Sequence, residues 1–325
     1  MRNGAKDPLT RRALSSTKVM TNWAVRQIVQ AWLDKHPGVT PDGWDSRELL
    51  EPSKDDGIQS FDDEGDVGVL RTWRAMCPEL QERWPEAARP ENWKGVTMEN
   101  GRVVELKLDG FDLSGALPAV VGRLRALRQL SFTNTELPSL PAEIGQLASL
   151  EILDIRKNQL TSVPAEIGQL TALERLHLDG NRLTSVPANI GQLTLLKELY
   201  LFNNELTSLP AEIGQLTALE ELRLGGNLLM SVPVEIGQLT SLETLFLYNN
   251  KLTGVPAEIG QLTSLRELDL SGNRLTSVPA NIGQLTALKQ LNLSFNKLTR
   301  LPAAIRELIA AGCHAVLDDG VRGDE

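Results

Sequence analysis

The sequence predicts an α/β solenoid in which a concave parallel β-sheet is backed by short turns or helices. A helical region precedes the sheet, and a helix–strand cap closes the C-terminal end. Leu173, Leu196, Leu219 and Leu242 lie 23 residues apart, and nearly every residue between them repeats. Each repeat contains an alternating Leu-x-Leu segment too short for a helix, followed by a segment of Pro, Ile and Leu. An internal period of about 20 to 50 residues is typical of solenoids.

Composition divides the chain near residue 100. A chain of 325 residues is long enough for about two domains. All six Trp lie before residue 94, whereas the later part is built on Leu, Ile, Val and Pro. The N-terminal third is therefore expected to pack by different chemistry from the repeats.

Charge and cysteine content exclude several classes of protein. A net charge of -9 and a pI near 5.1 argue against a nucleic-acid partner, because phosphate binding needs clustered Lys and Arg. The sequence contains no run of about 18 apolar residues, so no membrane span is predicted. The basic N-terminal residues are not followed by the apolar segment that a signal peptide would have. The two cysteines and three histidines are scattered. We therefore expect no disulfide framework, no metal site and no cofactor, and a cytoplasmic location.

Residues 1–50 are predicted to form a helical segment. Thr21 or Asn22 is a suitable N-cap, and His36-Pro37-Gly38 ends the helix. Between them one apolar face is formed by Val25, Ile28, Val29, Trp32 and Leu33. This pattern is typical of an amphipathic helix in a capping domain.

The same segment resembles the C-terminal half of a U-box. The matching residues are Asp7-Pro8-Leu9-Thr10, Leu14, Asn22, Val25-Arg26, Ile28 and Trp32-Leu33. That family is a zinc-free RING-like fold that docks a ubiquitin-conjugating enzyme, so the resemblance implies a contact with such an enzyme at Pro8. The family's first docking loop and central helix would precede Met1. We therefore expect either a longer natural chain or a remnant without ligase activity.

An acidic linker and a cap are predicted before the repeats. Residues 51–67 are polar and acidic, which indicates a solvated linker. In the cap, residues 68–102, one helical face interrupted by Pro78 is formed by Val69, Leu70, Trp73, Met76, Cys77, Leu80 and Trp84. Asn100-Gly101 then joins two short strands in a hairpin. Trp93 is expected to pack under this hairpin, which covers the open edge of the first repeat.

Nine repeats are predicted over residues 103–310. Their strands begin at Val103, Leu127, Leu150, Leu173, Leu196, Leu219, Leu242, Leu265 and Leu288. The shared pattern LxxLxLxxNxLTSVPAEIGQLTx resembles the leucine-rich repeat family, and its second half resembles the Ras-group subclass. The resemblance implies a horseshoe-shaped solenoid. The first unit and the Trp93-x-Gly95-Val96 segment resemble plant-type members, whose caps usually hold a disulfide. That disulfide is absent here, which favours an intracellular version.

The recurring positions have structural roles. Alternation points Leu222 and Leu224 into the core and Arg223 onto the concave face. A recurring Asn is expected to bond the backbone of its own and the neighbouring turn. The recurring Gly is expected where chains approach closely or φ is positive. At the end, a helix over Ala303 to Ala310 and a strand over His314 to Leu317 close the core, and residues 311–325 form the cap and tail.

The outward strand positions vary where the rest repeats. Between the two strand leucines stand Lys107, Ser131, Asp154, His177, Tyr200, Arg223, Phe246, Asp269 and Asn292. Two residues later stand Asp109, Thr133, Arg156, Asp179, Phe202, Gly225, Tyr248, Ser271 and Ser294. Gly225 and Gly226 are expected to leave a shallow hollow walled by rings. Asp154, Asp179 and Asp269 are expected to surround the rings and Arg223 and to give a mixed-charge rim.

These side chains predict a binding site for a protein or peptide on the concave face. It comprises Asp154, His177, Asp179, Tyr200, Phe202, Arg223, Phe246, Tyr248 and Asp269. Tyr, Phe and Arg anchor interfaces, and truncating a central one typically costs about 2 kcal/mol. The alternative is that the rings stack across adjacent strands and serve only the sheet. If they bind a partner, replacing Tyr200, Phe202 and Phe246 by Ala is expected to abolish its capture and leave melting nearly unchanged.

The predicted function is therefore an interaction scaffold without enzymatic activity. His177 has aspartates nearby but no Ser or Cys, which argues against a hydrolase. One alternative is the substrate-recognition part of a U-box-type ubiquitin ligase. Another is an effector or immune-type recognition protein.

Overall fold

The structure is a computed structural model and describes residues 65–113, 115, 117–318 and 322–323. The U-box-like segment 1–50, including Pro8, lies outside the described residues, as does most of the predicted linker 51–67. The domain limits therefore stay predictions. Within the described residues, no helix is long and apolar enough to cross a membrane.

Two short helices and a tryptophan cluster cover the start of the repeats. Helix α1 spans Gly65–Met76 and helix α2 spans Pro78–Arg83. Trp84 is fully buried, and its ring stacks on Trp93 with centroids 5.0 Å apart. The indole N–H of Trp84 donates to the Lys94 carbonyl at 2.9 Å. The large apolar rings fill this end of the core, while their N–H groups remain hydrogen-bonded.

Two side chains of this region differ from the predictions. Met76 is 37% exposed, because α1 ends at this residue and the chain turns at Cys77 before α2 begins. Asp66, expected in a solvated linker, is buried. Its carboxylate accepts the Val103 backbone N–H at 2.8 Å and the Arg102 side chain at 3.0 Å. It thus satisfies a buried donor of the first repeat strand, and the helix includes the last three residues of the predicted linker.

The predicted hairpin is confirmed. Strand β1, Val96–Glu99, pairs antiparallel with β2, Arg102–Lys107. Asn100 and Gly101 join them with φ of 50° and 75°. Two successive positive φ values are required by a type I′ turn, and Asn-Gly adopts them at low cost.

The repeat strands follow one another in chain order. They are β3 Gln129–Ser131, β4 Ile152–Asp154, β5 Arg175–His177, β6 Glu198–Tyr200, β7 Glu221–Arg223, β8 Thr244–Phe246, β9 Glu267–Asp269 and β10 Gln290–Asn292. With β1, β2 and the closing strand β12, His314–Val316, they form an 11-stranded sheet. Strand β1 pairs antiparallel with β2, and from β3 to β10 each strand pairs in parallel with the strand before it. This arrangement confirms the predicted solenoid with its concave parallel sheet.

Five-residue 3-10 turns lie between consecutive strands on the opposite side of the core. They span Ala119–Arg123, Ala142–Gln146, Ala165–Gln169, Ala188–Gln192, Ala211–Gln215, Val234–Gln238, Ala257–Gln261 and Ala280–Gln284. At Gly214 an added Cβ would lie 2.6 Å from the Glu235 carbonyl oxygen of the next repeat, and φ there is not positive. Close packing of adjacent turns is therefore the reason for this glycine.

The recurring asparagines bond the backbone of adjacent repeats, which confirms their predicted role. The Asn204 amide donates to the Leu178 and Leu201 carbonyls, each at 3.0 Å, and accepts the Leu183 N–H at 3.0 Å. The same three bonds recur along the repeats as far as Asn296. Each of these amides thereby satisfies three backbone groups that leave the sheet.

The C-terminal end is closed as predicted. Helix α3, Ala303–Ala310, buries Ile305 and Leu308, and β12 adds to the sheet beside β10. A separate pair is formed by β11, Arg300–Leu301, and β13, Arg322–Gly323. Cys313 is buried and free, as is Cys77 at the other end of the core.

Candidate partner-binding face

Three columns of outward side chains cross the sheet, because each strand has alternate residues on the same face. The first column includes Glu198, Glu221, Thr244, Glu267 and Gln290. The middle column runs from Asp154 through His177, Tyr200, Arg223, Phe246 and Asp269 to Asn292, and the register pairs each of these with the next. The third column includes Arg156, Asp179, Phe202, Gly225, Tyr248 and Ser271. The predicted site residues lie in the middle and third columns of strands β4 to β9.

Four middle-column side chains form a continuous stack, here called the ring–cation stack: His177, Tyr200, Arg223 and Phe246. The His177 and Tyr200 rings are parallel, with centroids 4.2 Å apart and planes at 6°. The Arg223 guanidinium lies between two rings, 4.7 Å from the Tyr200 centroid and 5.5 Å from that of Phe246. Side chains of adjacent strands therefore cover part of the surface of these residues, as the packing alternative expects.

Two glutamates of the first column hold the stack in place. Glu221 accepts the Tyr200 hydroxyl at 2.6 Å and the Arg223 Nε–H at 2.6 Å. Glu198 lies 3.1 Å from the Nε2 atom of His177. Sequence reasoning omitted both glutamates, although each stands two residues before a middle-column position and so faces the same way.

The surroundings of Tyr200 and Arg223 favour the protonated form of each side chain. Burial, followed by the hydrogen bond to Glu221, raises the pKa of Tyr200, so its hydroxyl stays a donor at neutral pH. Burial lowers the pKa of Arg223, but the Glu221 carboxylate together with the two tyrosines raises it overall, and the guanidinium stays charged. The stack therefore presents a fixed positive charge between two rings.

Asp154 and Asp179 do not form the exposed rim that the sequence predicted, since they are only 8% and 2% exposed. Asp154 accepts the Arg156 Nε–H at 3.0 Å, and its Oδ2 lies 3.9 Å from Nδ1 of His177. Burial pushes the pKa of Asp154 up, but His177 and Arg156 push it down by more and hold it well below its usual range. Asp179 stands between Arg156 and Phe202 in the third column, and Asp154 lies beside His177 and bonds the Arg156 side chain.

Asp179 is held in a different way from Asp154. Its buried Oδ1 atom has no hydrogen-bond partner among the described residues, and the same is true of Nδ1 of His177. Burial raises the pKa of Asp179, and the Arg156 charge offsets this only in part. Asp179 is thus a buried carboxylate with incomplete compensation.

Asp269 remains at the surface of the face. It is half-buried and accepts the Ser271 backbone N–H at 2.9 Å and the Ser271 hydroxyl at 2.6 Å. The amide of Asn292 also donates to it, at 3.3 Å. These bonds fix its carboxylate beside Phe246, its neighbour in the register.

The third column differs from the prediction at Gly225. The Tyr248 ring lies against this glycine, and a Cβ at residue 225 would collide with the ring. The expected hollow is therefore filled. Phe202 and Tyr248 each tilt against a ring of the stack, Tyr200 and Phe246, with centroids 6.4 Å apart in both pairs.

The surface that remains available includes four aromatic rings and a guanidinium that pairs with Glu221. Tyr200, Phe202, Arg223, Phe246 and Tyr248 are all only partly buried, while the sheet leucines beneath them are fully buried. Among the described residues, the polar and ring contacts of His177 are with Asp154, Glu198 and the ring of Tyr200, and none of them is with a Ser or Cys side chain. Within the described residues no group of His, Cys, Asp and Glu is arranged to hold a metal. Rings and a guanidinium of these types are the ones that anchor interfaces.

Comparison with known proteins finds repeat proteins over most of the described length. A family model described as "Leucine-rich repeat region" matches residues 101–224 and 188–304. A solved leucine-rich repeat protein of Leptospira interrogans is 40% identical with a TM-score of 0.58. The match covers 62% of this chain and 53% of that one.

Two plant receptor structures are also similar. The ectodomain of the Arabidopsis thaliana receptor kinase GASSHO1/SCHENGEN3, in complex with CASPARIAN STRIP INTEGRITY FACTOR 2, is 29% identical with a TM-score of 0.63, over 77% of this chain and 35% of that one. The Arabidopsis receptor kinase HAESA, in complex with the peptide hormone IDA and the co-receptor SERK1, is 30% identical with a TM-score of 0.56, over 73% and 46%. The chain thus spans about half or less of the length of the structures it matches.

Proposed function

Because the chain belongs to the leucine-rich repeat family, we propose that it is an interaction scaffold whose concave face binds a protein or peptide partner. One observation supports this most directly. The partly exposed rings and guanidinium of strands β6 to β8 stand in an otherwise repetitive sheet. Side chains of these types are the ones that anchor interfaces. The peptide hormone held by the HAESA structure supports a partner of this kind.

The ring–cation stack suits such a role because it is ordered before any partner arrives. Glu198 and Glu221 fix His177, Tyr200 and Arg223 through hydrogen bonds and ion pairing. Side chains that are already immobilised lose little conformational entropy on binding, which favours affinity. Packing within the sheet and binding of a partner thus use different parts of the same side chains.

The test is capture of partners from an extract of the source organism by the full chain, read by quantitative mass spectrometry. The bait variant carries Tyr200→Ala, Phe202→Ala and Phe246→Ala, and we expect it to lose the partner. The matched control carries Thr171→Ala, Thr194→Ala and Thr217→Ala, which alter exposed residues outside the strands. We expect the control to capture the partner as the wild type does; equal capture by both variants would contradict the proposal.

A second variant separates binding from folding. The stack gives Tyr200 and Phe246 packing roles, so the triple variant is now expected to lower the melting temperature as well. Phe202→Ala with Tyr248→Ala spares the four stacked side chains. We expect this pair to weaken capture at least about tenfold, as for central interface anchors, with a smaller change in melting. The packing alternative would be favoured by two results together. The double variant would capture the partner normally, and the triple variant would lose capture only to the extent that it is unfolded.

The ligase alternative rests on the U-box-like residues around Pro8, outside the described part of the chain. We propose that this chain is not itself a ligase. An autoubiquitination assay with a panel of ubiquitin-conjugating enzymes is expected to give no chains. Robust chain formation would establish the ligase instead, with the repeats as its substrate-recognition part.

We also propose a cytoplasmic location. Both cysteines are free and lie at opposite ends of the core, so the described residues contain no disulfide, which is consistent with a reducing compartment. Cell fractionation with antibodies against the native protein tests this. Recovery in a secreted fraction would favour the effector or immune-type alternative.

A further inference from the structure

A groove lies beside the ring–cation stack, on the side nearer the C-terminus. Its volume is about 220 Å³, and it extends over strands β8, β9, β10 and β12. The side chains that matter for its chemistry are Phe246, Glu267, Asp269, Asn292 and His314. Asp269 stands between Phe246 and Asn292 in the middle column, and its short side chain leaves a gap next to the Phe246 ring.

The protein already binds a guanidinium in an equivalent setting. On β7, with the sequence Glu221-Leu222-Arg223, the Arg223 side chain lies against the Phe246 ring of the next strand and bonds Glu221. Two strands on, β9 has the sequence Glu267-Leu268-Asp269. Glu267 of β9 stands in the same column as Glu221. The Phe246 ring of β8 lies between β7 and β9, so it also faces β9. Asp269 occupies the position in β9 that Arg223 occupies in β7.

The charges of the groove are uncompensated. The outward positions of β8, β9, β10 and β12 are Thr244, Phe246, Tyr248, Glu267, Asp269, Ser271, Gln290, Asn292, Ser294, His314 and Val316, with no Lys or Arg. In the described part of the chain neither Glu267 nor Asp269 forms an ion pair with a basic side chain, and the nearby Arg266 pairs with Glu243 at 3.4 Å. Neutral bonds from Ser271 and Asn292 orient Asp269 without cancelling its charge.

We propose that this groove binds an arginine side chain of the partner. The incoming guanidinium stacks on the face of Phe246 that Arg223 leaves uncovered and pairs with Glu267 and Asp269. Arginine fits better than lysine, because a planar guanidinium stacks on a ring and bonds carboxylates with two N–H groups at once. The inference rests on the proposed function and specifies the chemistry of the partner at one position.

The experiment titrates the full chain with Nα-acetyl-arginine methylamide, and separately with the neutral isostere Nα-acetyl-citrulline methylamide, by NMR. We expect the arginine probe to bind at least about tenfold more tightly than the citrulline probe, since only it can pair with both carboxylates. In Glu267→Gln with Asp269→Asn the preference is expected to disappear. Phe246→Leu, which keeps an apolar side chain without a π face, is expected to weaken binding of the arginine probe.

A matched control has the same loss of two charges elsewhere. Glu136→Gln with Glu205→Gln alters exposed residues that follow other strands, and the arginine preference is expected to persist there. Equal binding of the two probes would overturn the proposal. It would also be overturned if the control variant lost the arginine preference to the same extent, because the preference would then come only from the net negative charge of the protein. Melting curves of each variant show whether it is folded.

Failure of this proposal is distinguishable from failure of the proposed function. If the probes bind equally while Phe202→Ala with Tyr248→Ala still loses its partner, the arginine groove is wrong and the scaffold stands. If the groove selects arginine while every concave-face variant captures partners normally, the arginine site stands and the proposed function is wrong.

Discussion

Asp154 and Asp179 respond to pH in opposite ways, because different neighbours surround the two buried carboxylates. Asp154 is held ionised by His177 and Arg156, whereas Asp179 is buried with too little compensation and has a raised pKa. An unfolded aspartate titrates at about pH 3.9. For Asp179 the folded state keeps its proton to higher pH than the unfolded state, so stability falls as pH rises through the raised pKa. For Asp154 the sign is reversed, and stability is lost as pH falls through its lowered pKa.

Asp179→Asn is therefore expected to stabilise the protein at pH 7, because the amide carries no buried charge. The advantage over the wild type should shrink as the pH is lowered from 7 to about 4, because more of the wild-type carboxyl is then protonated. Asp154→Asn, the matched variant, should destabilise at pH 7 because it removes the ion pair with Arg156. Urea unfolding at both pH values measures this, and a destabilised Asp179→Asn protein at pH 7 would contradict the burial argument.

The recurring asparagines are expected to contribute strongly to stability, one residue at a time. Asn227→Ala removes bonds to the Leu201 and Leu224 carbonyls and to the Leu206 N–H, all of them buried. Leaving such groups unpaired should lower the free energy of unfolding by about 2 to 3 kcal/mol. Thr207→Ala, at an exposed position close by, should change it by no more than about 0.5 kcal/mol. Urea denaturation of the two variants makes the comparison, and similar losses in both would show that the ladder is dispensable.

At the scale of elements, the 3-10 turns pack so closely that their glycine cannot be replaced. Gly214→Ala places a methyl group against the Glu235 carbonyl of the following turn, and we expect a loss of about 1 to 3 kcal/mol from overpacking. Gly254→Ala is the matched control, because no atom lies within 4 Å of the added methyl and φ is not positive. It should be neutral or slightly stabilising. Thermal unfolding distinguishes the two, and equal melting temperatures would mean that the turns can move apart.

The strands show how far elements follow from local pattern. The Asn-Gly hairpin, the helix at Ala303–Ala310 and the nine repeat strands are all predictable, because turn chemistry and period act over a few residues. The end of α1 at Met76 is harder to predict from the sequence, since the helical spacing of apolar residues continues across the break at Pro78. The role of Asp66 was also hidden, because its bonding partner is 37 residues away in the chain.

At the scale of the whole molecule, each repeat is stabilised by its neighbours, so damage at one end should stay near that end. Ile305→Ala empties a fully buried site in α3 and should cost about 2 to 5 kcal/mol. Hydrogen exchange should then rise in β10 and β12 while the tryptophan cluster at the other end keeps its protection. Ile309→Ala on the same helix alters a side chain that is 43% exposed and should leave exchange almost unchanged. Uniform loss of protection along the chain would indicate a single cooperative unit instead.

The sequence by itself determined the solenoid, its strand order, the asparagine ladder and the identity of the outward columns. A 23-residue period and strict alternation specify all of these without reference to distant contacts. Only the tertiary structure decided how the outward side chains are used. It placed Arg223 between two rings, buried Asp154 and Asp179, filled the expected hollow with Tyr248 and brought Glu198 and Glu221 into the site. These outcomes depend on side chains from different strands, 21 or more residues apart in the chain, meeting across the sheet at hydrogen-bonding and stacking distances, and no local pattern specifies which of them will touch.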